Sequence, residues 1–522
     1  MVQYFSITHI WLNILTQVNR KMKAIILAAG IGSRLRPITL HKPKGAVTVN
    51  GKSILRHQLE AYAKAGVEEV FVISGYKADL LREICENTSK ELSINIEIII
   101  NENYANTDNM FSLSLVADWI QGEEFLLSNG DVIYQNNIIS DLVSLSSNHS
   151  YIATDAGVYS TEGMKVRIDG KQVTELSKSI GEAEADAVSI DLYRFSSAFS
   201  VSLFNEIEQI LHSKESYSGW TEVAINNLLD RKYSNVRSFD ISGSNWAEID
   251  NIADLLEADI KFNTLDIRGK EAIFVDLDGT VWVDEDPLNQ AVETLKIIKS
   301  AGISIYYLSN NSSKCKDAYV NRLQDIGIDT DIHHVLLSTD GVLDYLRSEG
   351  VTETYVVGTE SMREAFRNRG INVECESSSH VIIGFDKELT YEKVRRATLL
   401  IRDGAEFLVA HGDKVCPTSE GMIPDCGSIS ALIESATGQL PTQVFGKPNP
   451  AMIEHILDNN GWLADEILVI GDRLQTDVQM AKNVGCDSVC VLSGDADRLQ
   501  IEISPIQPSA VVETVGDLAN YI

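Results

Sequence analysis

The sequence predicts an α/β protein of two consecutive domains, and three observations predict it. The chain has 522 residues, more than one hydrophobic core ordinarily organises. Short apolar runs alternate with amphipathic stretches, the rhythm of strand–helix–strand units in a mostly parallel sheet. That rhythm fades near Glu257 and begins again at Ala272, each series opening with its own strand and loop motif. The two series are not repeats of one another. The division expected is an N-terminal extension over 1–21, a first domain over 22–263, a linker over 264–270 and a second domain over 271–522, with a cap inserted at about 340–440.

Taken in order, residues 23–27 form a strand and 54–65 a helix with Leu55, Leu59 and Tyr62 on one face. A strand over 70–74, a helix near 78–86 and strands at 96–100 and 125–127 follow. The second series opens with a strand at 272–275, a helix at 288–300 and a strand at 303–308. The inserted stretch carries strands at 355–357, 381–384 and 407–410, and the series closes through 467–470 and Val511. Met22 directly precedes the first strand, so it is either the natural start or the end of a loose extension.

Composition narrows the function. Hydrophobic residues are 44% and charged residues 23%, ordinary for a globular protein, and no apolar run has the length of about 18 residues that membrane insertion needs. A net charge of −31 argues against nucleic acid as a partner. The seven cysteines contain no CxxC pair and read as thiols of a reducing cytoplasm. Nothing in composition argues against or for an oligomer.

The first strand runs into Ala28-Ala29-Gly30-Ile31-Gly32-Ser33-Arg34-Leu35-Arg36-Pro37, followed by Lys42 and Lys44. Small residues let backbone N–H groups close on a phosphate or base, and Arg34 offers a planar fork to a triphosphate. This string resembles the signature of the sugar-phosphate nucleotidyltransferase family, and the resemblance extends over about 22–258. It implies a Rossmann-like sheet and a nucleotide held by Ala28, Ala29, Gly30, Gly32, Ser33, Arg34, Asn109 and Gly130. It also implies catalytic roles for Arg34 and Lys44, a magnesium ion on Asp131 and Asp250, and a substrate contact from Lys165. The Asn101–Leu113 stretch, with Asn101, Tyr104, Asn109 and Phe111, is similar to the phosphocholine and phosphonate cytidylyltransferase branch. That implies CTP and a small phosphorylated alcohol or phosphonate as acceptor. A UTP- or dTTP-dependent sugar-1-phosphate transferase and a nucleotide-sensing regulatory domain stay open. Tyr104 and Phe111 also fit a core, and Tyr217, Trp220 and Trp246 fit either packing or a partial cage for an amine.

The second series opens with Phe274-Val275-Asp276-Leu277-Asp278-Gly279-Thr280, two carboxylates at the C-terminal end of a strand, where α/β sheets bind ligands. Ser309-Asn310-Asn311, Lys447 and Gly471-Asp472 with Asp477 follow in order. This set resembles the haloacid dehalogenase-like superfamily and implies a Rossmannoid core with an α/β cap. By that resemblance Asp276 attacks phosphorus, Asp278 is the acid and base, Ser309 and Asn310 contact the phosphoryl group, and Lys447 balances charge. Asp276, Asp278 and Asp472 hold magnesium, and the substrate is a small phosphomonoester. Asp477 is either an outer ligand or a helix residue. The cap is similar to that of p-nitrophenyl phosphatases and phosphoglycolate phosphatases. It departs from them at His411-Gly412-Asp413 and Asp425-Cys426-Gly427, where relatives often have Thr-Asn-Xaa-Asp and Gly-Ala-Gly.

Overall fold

The computed structural model describes residues 22–213, 219–231, 235–284, 286–375, 377–418 and 421–522. The expected extension over 1–21 and Tyr217 lie outside the described residues. The chain divides into two compact units, one ending at Phe262 and one from Asn263 to Ile522.

The first unit is built on strands β1 (Lys23–Ala28), β2 (Glu69–Ser74), β3 (Asn95–Ile100), β4 (Phe125–Asn129), β5 (Ser150–Asp155), β6 (Lys165–Asp169), β7 (Gln172–Ser177), β8 (Ala187–Phe195) and β9 (Val236–Asp240). They form one sheet in the order β3-β2-β1-β4-β8-β5-β9-β7-β6. β1 is apolar almost throughout because it lies inside the sheet, parallel to both β2 and β4. Its Leu27 sits opposite Asn129, so the chain leaves β1 and β4 side by side. The helix Ile54–Lys64 buries Leu55, Leu59 and Tyr62 against this sheet, as the periodicity predicts. The sequence places a shorter helix near 78–86; it runs over Ala78–Leu92.

The second unit contains, in chain order, β10 (Ala272–Asp276), β11 (Ser304–Ser309), β12 (Val335–Leu337), β13 (Tyr355–Val357), β14 (His380–Ile383), β15 (Glu406–Val409), β16 (Gln443–Val444), β17 (Ile467–Gly471), β18 (Asp487–Val491) and β19 (Ala510–Val512). The core sheet has the order β12-β11-β10-β17-β18-β19 and is parallel at every pairing. The inserted β13–β16 make a separate four-stranded parallel sheet with its own apolar core, the cap.

The stretch read as a linker over 264–270 is not a free tether. Ile267 is fully buried among the core residues Ile273 and Val275, and Lys270 forms an ion pair with Asp487 at 2.7 Å. The stretch lacks periodicity because it is too short to present a repeating face, yet one isoleucine suffices to dock it.

Candidate active sites

The first candidate site lies where β1 and β4 end. Gly130 turns there with its N–H 2.8 Å from the Leu27 carbonyl, and a Cβ at this position would lie 2.8 Å from that oxygen. The helix Ile54–Lys64 clamps both sides of the turn. Gln58 donates to the carbonyls of Asn129 and Val132, and Tyr62 donates to Ser128. A two-stranded ribbon then pairs Val132–Tyr134 with Trp246–Glu248, and the Ile249 N–H reaches the Asp131 carbonyl. Asp254 completes the frame by accepting from the backbone of Asp250 and Asn251 at the start of the next helix.

This frame sets Lys44 between two carboxylates, 2.7 Å from both Asp131 and Asp250. Arg34 reaches Asp250 at 2.8 Å and Glu162 at 2.7 Å. A cavity of about 300 Å³ opens beside them, walled by Ala28, Gly30, Gly32, Ser33 and Gly130. Burial pulls the Lys44 ammonium down, but Asp131 and Asp250 hold it above its ordinary value. Asp131, Glu248 and Asp250 bring one carboxylate oxygen each within 4.8 Å of one another, and the buried Asp131 Oδ1 has no hydrogen-bond partner. Burial, with Asp131 and Asp250 beside it, pushes Glu248 up to about 7. Crowded carboxylates with an orphan oxygen fit a hard divalent cation.

Three expected residues stand elsewhere. Lys165 is buried with its ammonium donating to the carbonyls of Thr161 and Lys178, so it braces a loop. Asn109 accepts from the Thr221 N–H at the start of a helix and does not line the loop cavity. Ala29 does not line that cavity either, and its carbonyl takes the Tyr76 N–H. Of the aromatic residues read as packing or as a partial amine cage, Lys178 covers the Trp220 ring at 4.7 Å and Trp246 donates to Asp155. The sequence reading missed Glu248, Asp191 and Glu222. Asp191, at φ +54°, and Glu222 are tied through the Tyr193 hydroxyl at 3.1 and 3.0 Å, and Asn129 donates to Asp191. Burial first, then the charges of Glu222, Glu248 and Asp131, raises Asp191 well above the carboxylate range. The signal for Asp191 was a lone acid inside an apolar strand.

The second candidate site lies at the C-terminal edge of the core sheet. Asp276 ends β10 opposite Leu308 of β11, and β17 ends beside it at Gly471. The register alone therefore gathers Asp276, Ser309 and Asp472. Lys447 projects between Asp276 and Asp477, contacting the first and lying 2.7 Å from the second. Its backbone is locked by Asn310, whose side chain accepts from the Lys447 N–H and donates to its carbonyl. Gly446 turns there at φ +71°, and a Cβ would press on Asn310 and Ser338. Asp278 accepts from the Trp282 indole at 2.8 Å.

A cavity of about 430 Å³ is walled by Asp276, Asp278, Ser309, Asn310, Lys447 and Asp472. Burial drives Asp276 well above its ordinary value against the pull of Lys447, and burial with the charge of Asp477 pushes Asp472 up to about 7. Asp276, Asp472 and Asp477 bring carboxylate oxygens within 4.8 Å of one another, a donor set suited to magnesium. Asn310 thus spends its amide on Lys447 and on Asp413, and Asp477 is a partner of Lys447 as well as a member of the acidic cluster.

A strand-end aspartate pair, a buried lysine and a third aspartate on a parallel sheet define a phosphoryl-transfer type of site. The comparisons agree. Residues 273–372 match the haloacid dehalogenase-like hydrolase model, and 444–518 match a second hydrolase-like model of that group. Residues 23–263 match the nucleotidyl transferase model. An acid sugar phosphatase of Staphylococcus epidermidis is 30% identical over 241 residues, 46% of this chain and 93% of the relative. The 5'-nucleotidase YutF of Bacillus subtilis is 27% identical over 48% of this chain and 97% of the relative. The crystal structure of a 4-nitrophenylphosphatase from Thermotoga maritima is 33% identical, with a TM-score of 0.47, over 49% of this chain and 98% of that one. The chain belongs, through its second unit, to the haloacid dehalogenase-like hydrolases. It is an enzyme that joins a nucleotidyl transferase domain to a phosphatase-type hydrolase domain. Among the described residues no helix is long and apolar enough to cross a membrane.

Proposed function

We propose that the second unit hydrolyses a small phosphomonoester through an aspartyl-phosphate, and that the first transfers a cytidylyl group from CTP to a small phosphorylated alcohol or phosphonate with release of pyrophosphate. For hydrolysis, the supporting observation is the buried Asp276 held by Lys447 next to Asp278 and Asp472. An Asp276 oxygen attacks phosphorus and the ester bond to the leaving oxygen breaks, with Asp278 donating its proton to that oxygen. Asp278 then takes a proton from water, whose oxygen displaces Asp276 and regenerates it. Trp282 fixes the Asp278 carboxylate, and Lys447 offsets the charge of Asp276 and Asp477. Asp276, Asp472 and the Asp278 carbonyl would hold magnesium, which when bound neutralises phosphoryl charge.

For transfer, the supporting observation is the convergence of Arg34, Lys44, Asp131 and Asp250 on one loop cavity. Arg34 and Lys44 face the charge that builds as an acceptor oxygen attacks the α-phosphorus and pyrophosphate leaves. Asp131, Asp250 and Glu248 would hold magnesium there. The preference for CTP rests on the 101–113 segment. The acid pair of half-buried Asp191 and buried Glu222 suits an acceptor carrying an amine, whose positive charge would relieve both carboxylates. Pyrophosphate release measured across four nucleoside triphosphates, against amino-alcohol phosphates, aminophosphonates and sugar 1-phosphates, tests this. CTP with an amine-bearing acceptor should be fastest; faster release from UTP or dTTP with a sugar 1-phosphate would replace the cytidylyl reading.

A further inference from the structure

The cap loop after β15 carries His411 and Asp413, and Asp425 caps the helix Cys426–Thr437. In the sequence these are the positions where the cap departs from its relatives. The fold brings them together. His411 is fully buried, and neither of its ring nitrogens has a hydrogen-bond partner. Nδ1 lies 3.4 Å from Asp413 Oδ2, and Nε2 lies 3.6 Å from Asp425 Oδ1. One donor atom from each of the three residues falls within 4.8 Å of the others. A fully buried imidazole set between two carboxylates, with no hydrogen bond at either nitrogen, is an arrangement that a bound cation would complete.

We infer that His411, Asp413 and Asp425 form a binding site for a divalent transition-metal cation, separate from the carboxylate clusters at both active sites. One imidazole nitrogen and two carboxylates suit zinc, cobalt or copper, whereas oxygen-only clusters favour magnesium. Among the described residues, it is the one of the three acidic clusters that contains histidine. The surroundings supply the outer partners that orient metal ligands. Asn310 donates to Asp413 at 3.2 Å, Arg473 lies 3.4 Å from it, and the Cys426 N–H donates to Asp425. An entry path exists, because Asp413 lines the 430 Å³ cavity while His411 stays behind it. The site ties the cap to the core beside the hydrolytic centre, since Asp413 belongs to the cap and Asn310 and Arg473 to the core.

The test uses the full chain, stripped with a chelator and kept in excess magnesium so that oxygen-only sites are occupied. Zinc binding is followed by calorimetry, and copper(II) by pulsed electron paramagnetic resonance, which detects the remote nitrogen of a bound imidazole. The parent should bind one zinc more per chain than His411→Asn, and the imidazole modulation should be lost in that variant. Asp425→Asn, which keeps the histidine, should weaken zinc binding about tenfold or more and covers the case in which His411→Asn does not fold. Equal zinc stoichiometry and affinity in the parent and in a folded variant would overturn the inference. p-Nitrophenyl phosphate hydrolysis in magnesium, read on the same samples, separates this outcome from failure of the phosphatase reading.

Discussion

Each candidate site sets one lysine between two carboxylates. Lys44 bridges Asp131 and Asp250, and Lys447 bridges Asp276 and Asp477. Removing one partner of a buried charge set leaves the rest unpaired, at a cost of roughly 3–5 kcal/mol. Lys447→Ala should therefore lower the thermal stability of the second unit as well as its turnover, while Lys447→Arg should restore part of the stability. Unchanged melting in Lys447→Ala would argue that the pair is not buried as described. Glu248→Gln keeps the shape of the ribbon but removes one carboxylate charge, and should reduce pyrophosphate release by about tenfold or more and raise the magnesium needed. A magnesium requirement equal to the parent's would remove Glu248 from the metal set. Asp131, Asp250, Asp276 and Asp472 were legible in the sequence because each sits in an ordered string at a strand end. Glu248, Asp191, Glu222 and the His411 cluster were not, because pairing across distant segments creates them. Lys165 shows the opposite failure: a lysine in the expected string whose ammonium is taken up by two carbonyls, which no spacing reveals.

At the scale of elements, both sites are made by strands ending side by side. In the first unit the decisive device is the Gly130 turn, where a side chain would strike the Leu27 carbonyl and Ala28. Gly130→Ala should destabilise that unit by about 1–3 kcal/mol and depress nucleotidyl transfer with hydrolysis unaltered, as read by thermal unfolding and both assays. Transfer at the parental rate would show that the turn has slack. Strand type was legible where the chain forms compact apolar runs, such as β1 and β10, which the sheets bury almost throughout; β5–β9 carry no such reading in the sequence. Element ends were less legible: the helix Ala78–Leu92 outruns its sequence forecast because its buried face continues through Thr88, a residue that adds nothing to the apolar pattern.

At the scale of the molecule, the two units have separate cores and separate chemistries. The docking of Ile267 and Lys270 places the cut for separating them at 262/263. A second-unit fragment starting at Asn263 should be more stable than one starting at Glu271 by roughly 2 kcal/mol or more, the usual loss for deleting a buried isoleucine side chain. Equal melting temperatures would return 264–270 to the status of a tether. The central claim, two independent magnesium-dependent reactions on one chain, is tested most directly by steady-state rates of both reactions in Asp276→Asn and Asp131→Ala, with folding checked by circular dichroism. Asp276→Asn should lose hydrolysis by roughly 10³-fold or more and keep pyrophosphate release, and Asp131→Ala should do the reverse. Hydrolysis within about tenfold of the parent in folded Asp276→Asn, a change of only about 1.4 kcal/mol in barrier, would contradict the aspartyl-phosphate route. Loss of both activities in either folded variant would contradict the independence of the two sites.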